Sequence, residues 1–221
     1  MEKKECFWYM KEIMKNMASK FIFGGSFNPP TKAHFEIIKA FFDQKNDHLG
    51  KRELIIAPNA DGYTYANKQL IKFGHRQAML IKGILEYRLP MSNILIKDFN
   101  VDCKTKFLSD LAQELTDNVS PYIIIGDDCV EDLPNWNDYK LLADNYKFLV
   151  VKRKYTESEI ANICSNLLQE HDINLSYTIL NMNNSNDLKN ISSSYFRQSK
   201  DYNILPNSIV KYIKSHNLYN I

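Results

Sequence analysis

The chain has 221 residues, 28 Lys and Arg against 26 Asp and Glu, and a formal net charge of +2, so it is long enough for a full core as one domain or two small ones. The near balance of charge argues against the broad basic face of a dedicated nucleic-acid binder and leaves room for a local anion pocket. No stretch reaches the ~20 apolar residues of a membrane span, and Cys6, Cys103, Cys129 and Cys164 form no C-x-x-C pair, which disfavours a zinc cluster or a disulfide framework and fits reduced cytoplasmic thiols.

In chain order, residues 1–19 read as an N-terminal extension and 20–221 as one domain. Lys3, Lys4, Lys11 and Lys15 interrupt the apolar residues of the extension, so it lacks the hydrophobic block of a signal peptide. The first strand, Phe21–Phe23, runs into Gly24-Gly25 and then through Ser26, Phe27, Asn28 and two prolines into a helix with His34 in its first turn. Bare glycine backbone lets a phosphate approach, and the helix behind it directs free N–H groups and its positive dipole end at that anion.

Further apolar runs suited to buried strands follow at Leu54–Ala57, Ile94–Ile96, Tyr122–Ile125 and Phe148–Val151, with a sixth candidate at Tyr177–Leu180. Helical periodicity falls between them. Phe35, Ile38, Ala40 and Phe41 mark one face, Ala78, Met79, Ile81, Ile84 and Leu85 a second, and Leu108, Leu111, Ala112 and Leu115 a third. The alternation predicts an α/β fold, a Rossmann-like parallel sheet flanked by helices, with ligands beyond the strand C-terminal ends at a switch in strand order. Gly24 and Gly126 both end apolar strands and so become candidates to line that crevice. Asn181–Asn190, rich in Asn and Ser, reads as a surface loop. It leads into Ile191-Ser192-Ser193-Ser194-Tyr195-Phe196-Arg197, where serines can cap a helix and Arg197 follows about one turn later.

These segments carry a family resemblance. Gly25, Phe27, Pro29, Thr31 and His34 match the Gly-x-Phe-x-Pro-x-[His/Thr]-x-Gly-His signature of the nucleotidylyltransferase superfamily, with Ala33 in place of the usual glycine. Ile191–Arg197 resembles the Ile-Ser-Ser/Ala-Thr-x-x-Arg motif of the same superfamily. The run Tyr122–Asp128, then Leu133–Tyr139 with Trp136, then Phe148–Arg153 is similar to the nicotinate/nicotinamide mononucleotide adenylyltransferases, most closely the bacterial nicotinate-nucleotide type, and the likeness spans about residues 20 to 220.

The resemblance implies that His34, Thr31 and Arg197 serve catalysis, Thr31 adding a hydroxyl hydrogen bond where many relatives have a second histidine. It implies an ATP site of Gly24, Gly25, Ser26, Phe27, His34, Gly126, Asp128, Ile191, Ser192, Ser193, Ser194 and Arg197, with Asp128 on the ribose hydroxyls. For the mononucleotide it implies Lys68, Thr105, Trp136 stacked on the pyridine ring, and Arg153. Asp127 is the weaker of the two adjacent carboxylates and is expected to face solvent. Arg76, Met79 and Leu80 match a family helix pattern, and the run from Ile204 to Tyr219 matches a final helix and tail with a structural role.

The implied partners are ATP and a pyridine mononucleotide, with Mg²⁺ arriving on the ATP phosphates, no protein metal cage, no nucleic acid and no membrane; a homo-oligomer stays open. Cys103 and Lys104 replace two residues of the family's Ser-Tyr-Thr, which leaves nicotinate against nicotinamide preference open. Two rival readings are another transferase on the same scaffold, acting on phosphopantetheine or a polyol phosphate, and a non-catalytic nucleotide-binding protein. A dehydrogenase is set aside because the first strand lacks Gly-x-Gly-x-x-Gly.

Overall fold

The computed structural model describes residues 19–44, 51–62, 69–100, 107–116, 120–182, 188 and 191–220. The six apolar runs all form strands: β1 (Ser19–Gly25), β2 (Arg52–Pro58), β3 (Ile94–Ile96), β4 (Tyr122–Gly126), β5 (Lys147–Lys152) and β6 (Tyr177–Asn181). They lie parallel in the order β3-β2-β1-β4-β5-β6. The chain therefore steps outward from β1 to β3, then returns to the other side of β1 for β4. That reversal between β1 and β4 opens a crevice beyond their C-terminal ends, where Gly24, Gly25 and Gly126 stand.

The inner strands β1, β2, β4 and β5 have buried apolar centres because both their faces are covered, as parallel sheets require, while at the edge Leu95 of β3 is 58% exposed. Alternation sorts them. Phe21, Phe23, Leu54, Ile56, Ile124, Leu149 and Val151 belong to one core, with Phe35, Ile38 and Phe41 of α1 (Lys32–Asp43) and Met79, Leu80 and Ile84 of α2 (Phe73–Glu86). Ile22, Ile55, Ile123, Ile125, Phe148 and Val150 belong to the other, with Leu111 and Ala112 of α3 (Leu108–Glu114), Leu142 and Ala143 of α4 (Tyr139–Asn145), and Ile160 and Leu167 of α5 (Glu157–His171). Each such Phe, Leu or Ile contributes roughly 1.5–3 kcal/mol on burial. The first core also receives Phe196 of α6 (Ser193–Ser199) and Ile209 and Ile213 of α7 (Asn207–Ser215).

The α2 face differs from the expected one. Leu85 is 61% exposed, while Phe73, Arg76, Met79, Leu80, Gly83 and Ile84 are buried. Gly83 sets this rotation, since a Cβ there would collide with the Phe35 ring, so α1 and α2 pack closely at that point.

Candidate active site

At the end of β1 the backbone turns through Phe27, which has φ of 47°, and a cis peptide joins Asn28 to Pro29. The Phe27 side chain is 1% exposed and packs on the rings of Phe23 and His34, with centroids 5.4 and 5.0 Å away. Phe27, expected in the ATP site, is thus buried as a whole residue and shapes the turn from within. The missing Cβ of Gly25 leaves room for the same Phe27 ring, 3.3 Å from where that atom would sit.

Thr31 is the N-cap of α1, and His34 completes a capping box with it. The Thr31 backbone N–H donates to His34 Nδ1 at 3.0 Å, and the Thr31 hydroxyl lies 2.8 Å from the same nitrogen. A backbone N–H can only donate, so Nδ1 is the acceptor and the neutral ring carries its proton on Nε2. Desolvation of the half-buried ring, with the positive charge of Arg153 second, lowers its pKa from 6.5 to about 3. His34 is therefore a neutral hydrogen-bond donor, not an imidazolium. Thr31, expected to add a hydroxyl hydrogen bond in catalysis, has no exposed surface and its hydroxyl is turned onto His34, so it orients that ring.

At the end of β4, Gly126 lets the Asp128 side chain fold back over the strand end, where a Cβ would collide with Asp128 Oδ1. Asp128 accepts from Arg153 Nη2 at 2.8 Å. Arg153, expected on the mononucleotide side, is thereby joined to the carboxylate expected at the ribose. Asp127 does not face solvent as expected. It is completely buried, and its Oδ2 accepts from the backbone N–H groups of Arg153, Lys154 and Tyr155 at 2.9, 2.7 and 2.8 Å. Sequence reasoning passed over it because a second acid beside Asp128 looks redundant; its position directly after the last glycine of a buried strand was the available signal.

The second motif docks on the first. Ser192 caps α6 by accepting the Tyr195 N–H at 3.0 Å. Ser193 Oγ donates to the Pro29 carbonyl at 2.8 Å, and Arg197 donates through Nη1 to the Asn28 carbonyl at 2.8 Å and through Nη2 to Ser194 Oγ at 3.2 Å. Ile191 packs partly against the first core, and its N–H bonds the Leu188 carbonyl.

Asn28 was not singled out in sequence, yet it is fully buried and central. Its amide donates to the Gln69 carbonyl at 2.9 Å, and its Oδ1 accepts from Tyr219 OH at 2.9 Å. Arg76, also fully buried, ties the surrounding loops by donating to the carbonyls of Ser26, Asn59 and Ile71 and to Asp61. Trp136 is half-buried and packs beside the second core in the segment that follows β4. Lys68 and Thr105 lie outside the described residues.

The cytidylyltransferase-like family model matches residues 22–199. A protein of Acholeplasma laidlawii named probable nicotinate-nucleotide adenylyltransferase is 28% identical over 194 residues, covering 82% of this chain and 96% of its own. A Streptococcus mutans protein of the same name is 29% identical over 213 residues, covering 93% and 90%. In fold, the chain is similar to the Plasmodium falciparum nicotinic acid mononucleotide adenylyltransferase solved in complex with NaAD, with a TM-score of 0.72, 22% identity, and coverage of 92% of this chain and 98% of that one.

Proposed function

Because the chain belongs to the cytidylyltransferase-like family, whose model matches residues 22–199, we propose that it is a nicotinate-nucleotide adenylyltransferase, moving AMP from ATP onto nicotinate mononucleotide with release of pyrophosphate. One observation carries the reading above all. Ser193 and Arg197, from the far end of the chain, reach the carbonyls of Pro29 and Asn28 in the loop that precedes His34, so two motifs suited to phosphate form one edge of the crevice. A triphosphate, with a reacting and a leaving portion, needs both. The names of the Acholeplasma and Streptococcus relatives support the pyridine substrate.

In this mechanism the mononucleotide phosphate attacks the α-phosphorus of ATP in line, forming a new P–O bond as the bond to the β-phosphate oxygen breaks. The attacking oxygen is already anionic, so positioning and charge stabilisation suffice without a covalent enzyme intermediate. His34 donates its Nε2 proton as a hydrogen bond to the α-phosphoryl group, where charge grows. Arg197 and the Ser194 hydroxyl hold the departing pyrophosphate while Ser193 keeps α6 docked on the Pro29 carbonyl, and Asp128 takes the ribose hydroxyls. Trp136 stacks on the pyridine ring. Because His34 offers a donor and not a ligand on this edge, with Thr31 buried behind it, Mg²⁺ would best be held by ATP oxygens and water; bound there, it would neutralise the phosphates.

The test is pyrophosphate release with Mg-ATP and nicotinate mononucleotide, with nicotinamide mononucleotide and phosphopantetheine in parallel. Release fastest with the nicotinate compound is expected. Release only with phosphopantetheine, or with none of the three, would overturn the proposal.

A further inference from the structure

The roles proposed for this site leave one buried group unassigned. Asp127 has no exposed surface, and an aspartate is almost never fully buried unless paired. Here its partners are three successive backbone N–H groups, those of Arg153, Lys154 and Tyr155, which converge on the single oxygen Oδ2. Such a ring of consecutive N–H groups is an anion-holding geometry, filled in this chain by the protein's own carboxylate. Its other oxygen, Oδ1, and Arg153 Nε are both buried without a partner among the described residues. Asp127 and Asp128 thus grip the two ends of one arginine. Asp127 takes its backbone N–H at 2.9 Å, and Asp128 takes its guanidinium at 2.8 Å.

We propose that Asp127 is the positioning residue for Arg153, holding the segment after β5 so that the Arg153 guanidinium is fixed beside Asp128 before nucleotide arrives. The consequence is a preformed nucleotide half of the site. Arg153 is also the charged group whose field reaches His34, so its placement bears on both the ribose carboxylate and the phosphoryl donor. Without Asp127, the amides of residues 153–155 would have to turn to water, and the arginine would move with them. The inference rests on the adenylyltransferase reading for the identity of the nucleotide, and on the hydrogen bonds alone for the role of Asp127.

The test compares Asp127→Asn, Arg153→Ala and the double variant by calorimetric titration with Mg-ATP alone, which needs no turnover. Asparagine keeps the size and one acceptor oxygen but not the charge. The affinity of Asp127→Asn should fall about ten-fold, as for a lost hydrogen bond to a charged group. The double variant should be no weaker than Arg153→Ala, because both changes act through one side chain. In turnover assays KM for ATP should rise while KM for the mononucleotide stays put. Additive losses, or an unchanged ATP affinity, would overturn the proposal. Should Asp127→Asn fail to fold, amide exchange on the unmodified protein decides: the N–H groups of residues 153–155 should be protected without nucleotide, and fast exchange there would contradict a preformed arginine. A wild type that binds ATP yet makes no pyrophosphate would overturn the function while leaving the role of Asp127 to be decided by the titrations.

Discussion

In the proposed reaction His34 uses its two nitrogens for two tasks, and a single substitution can separate them. Nδ1 accepts the Thr31 N–H and so finishes the cap of α1, while Nε2–H points the other way as a donor. In His34→Asn the amide oxygen can replace Nδ1 but nothing replaces Nε2–H. The variant should fold with a melting temperature close to wild type and lose roughly 100-fold in kcat, the usual loss for one donor to a developing oxyanion. His34→Ala should lose both the activity and the cap. The pH dependence follows from the same geometry. The folded pKa of about 3 lies below the ordinary 6.5, so the unfolded chain takes up this proton first as pH falls. Stability should therefore decline from about pH 6.5 towards pH 3, and urea midpoints across that window should fall less steeply in His34→Asn. His34 should add no acid limb near pH 6.5 to kcat/KM, so a limb there, where the substrate phosphates titrate with a second pKa of about 6, should be unchanged in His34→Asn.

At the level of elements, the sequence was most legible where chemistry is local. All six strands lie where apolar runs ended in glycine, proline or polar residues, because a parallel sheet covered by helices demands such runs. The face of α2 was misread at Leu85 because the close approach at Gly83 depends on where α1 sits, which no helical period records. Element junctions were likewise hidden. Glu86, at the end of α2, accepts the N–H groups of Asn207 and Ser208 at 3.0 and 2.7 Å, satisfying the first turn of α7 across 121 residues of chain. These hydrogen bonds hold its carboxyl below the usual value against the opposing effect of burial. That stability is present above the ordinary carboxylate pKa and is lost as pH falls through the folded one. Glu86→Ala should cost roughly 1 kcal/mol, as for loss of a helix cap, read as a shift in urea midpoint at neutral pH and a smaller shift in acid.

Across the whole molecule, the site is assembled from both ends of the chain at the reversal between β1 and β4. Its two motifs were visible in sequence, and their contact is seen only in the fold, through Ser193, Arg197 and Asn28. The roles of Thr31 and Asp127 were not legible, since burial and not residue type turns a hydroxyl or carboxylate inward. Tyr219, near the end of the described chain, closes the assembly with its hydrogen bond to Asn28, while its ring packs on Phe196 at 5.6 Å. Tyr219→Phe leaves Asn28 Oδ1 only the Ile71 N–H at 3.4 Å. It should cost about 1 kcal/mol of stability and raise KM for ATP, and an unchanged KM would separate the tail from the site. The most direct measurement of the account is pyrophosphate release with Mg-ATP and nicotinate mononucleotide, wild type beside His34→Asn. A wild-type rate exceeding that with nicotinamide mononucleotide, and lost in the folded variant, is the result the account predicts; equal rates in wild type and His34→Asn would contradict it.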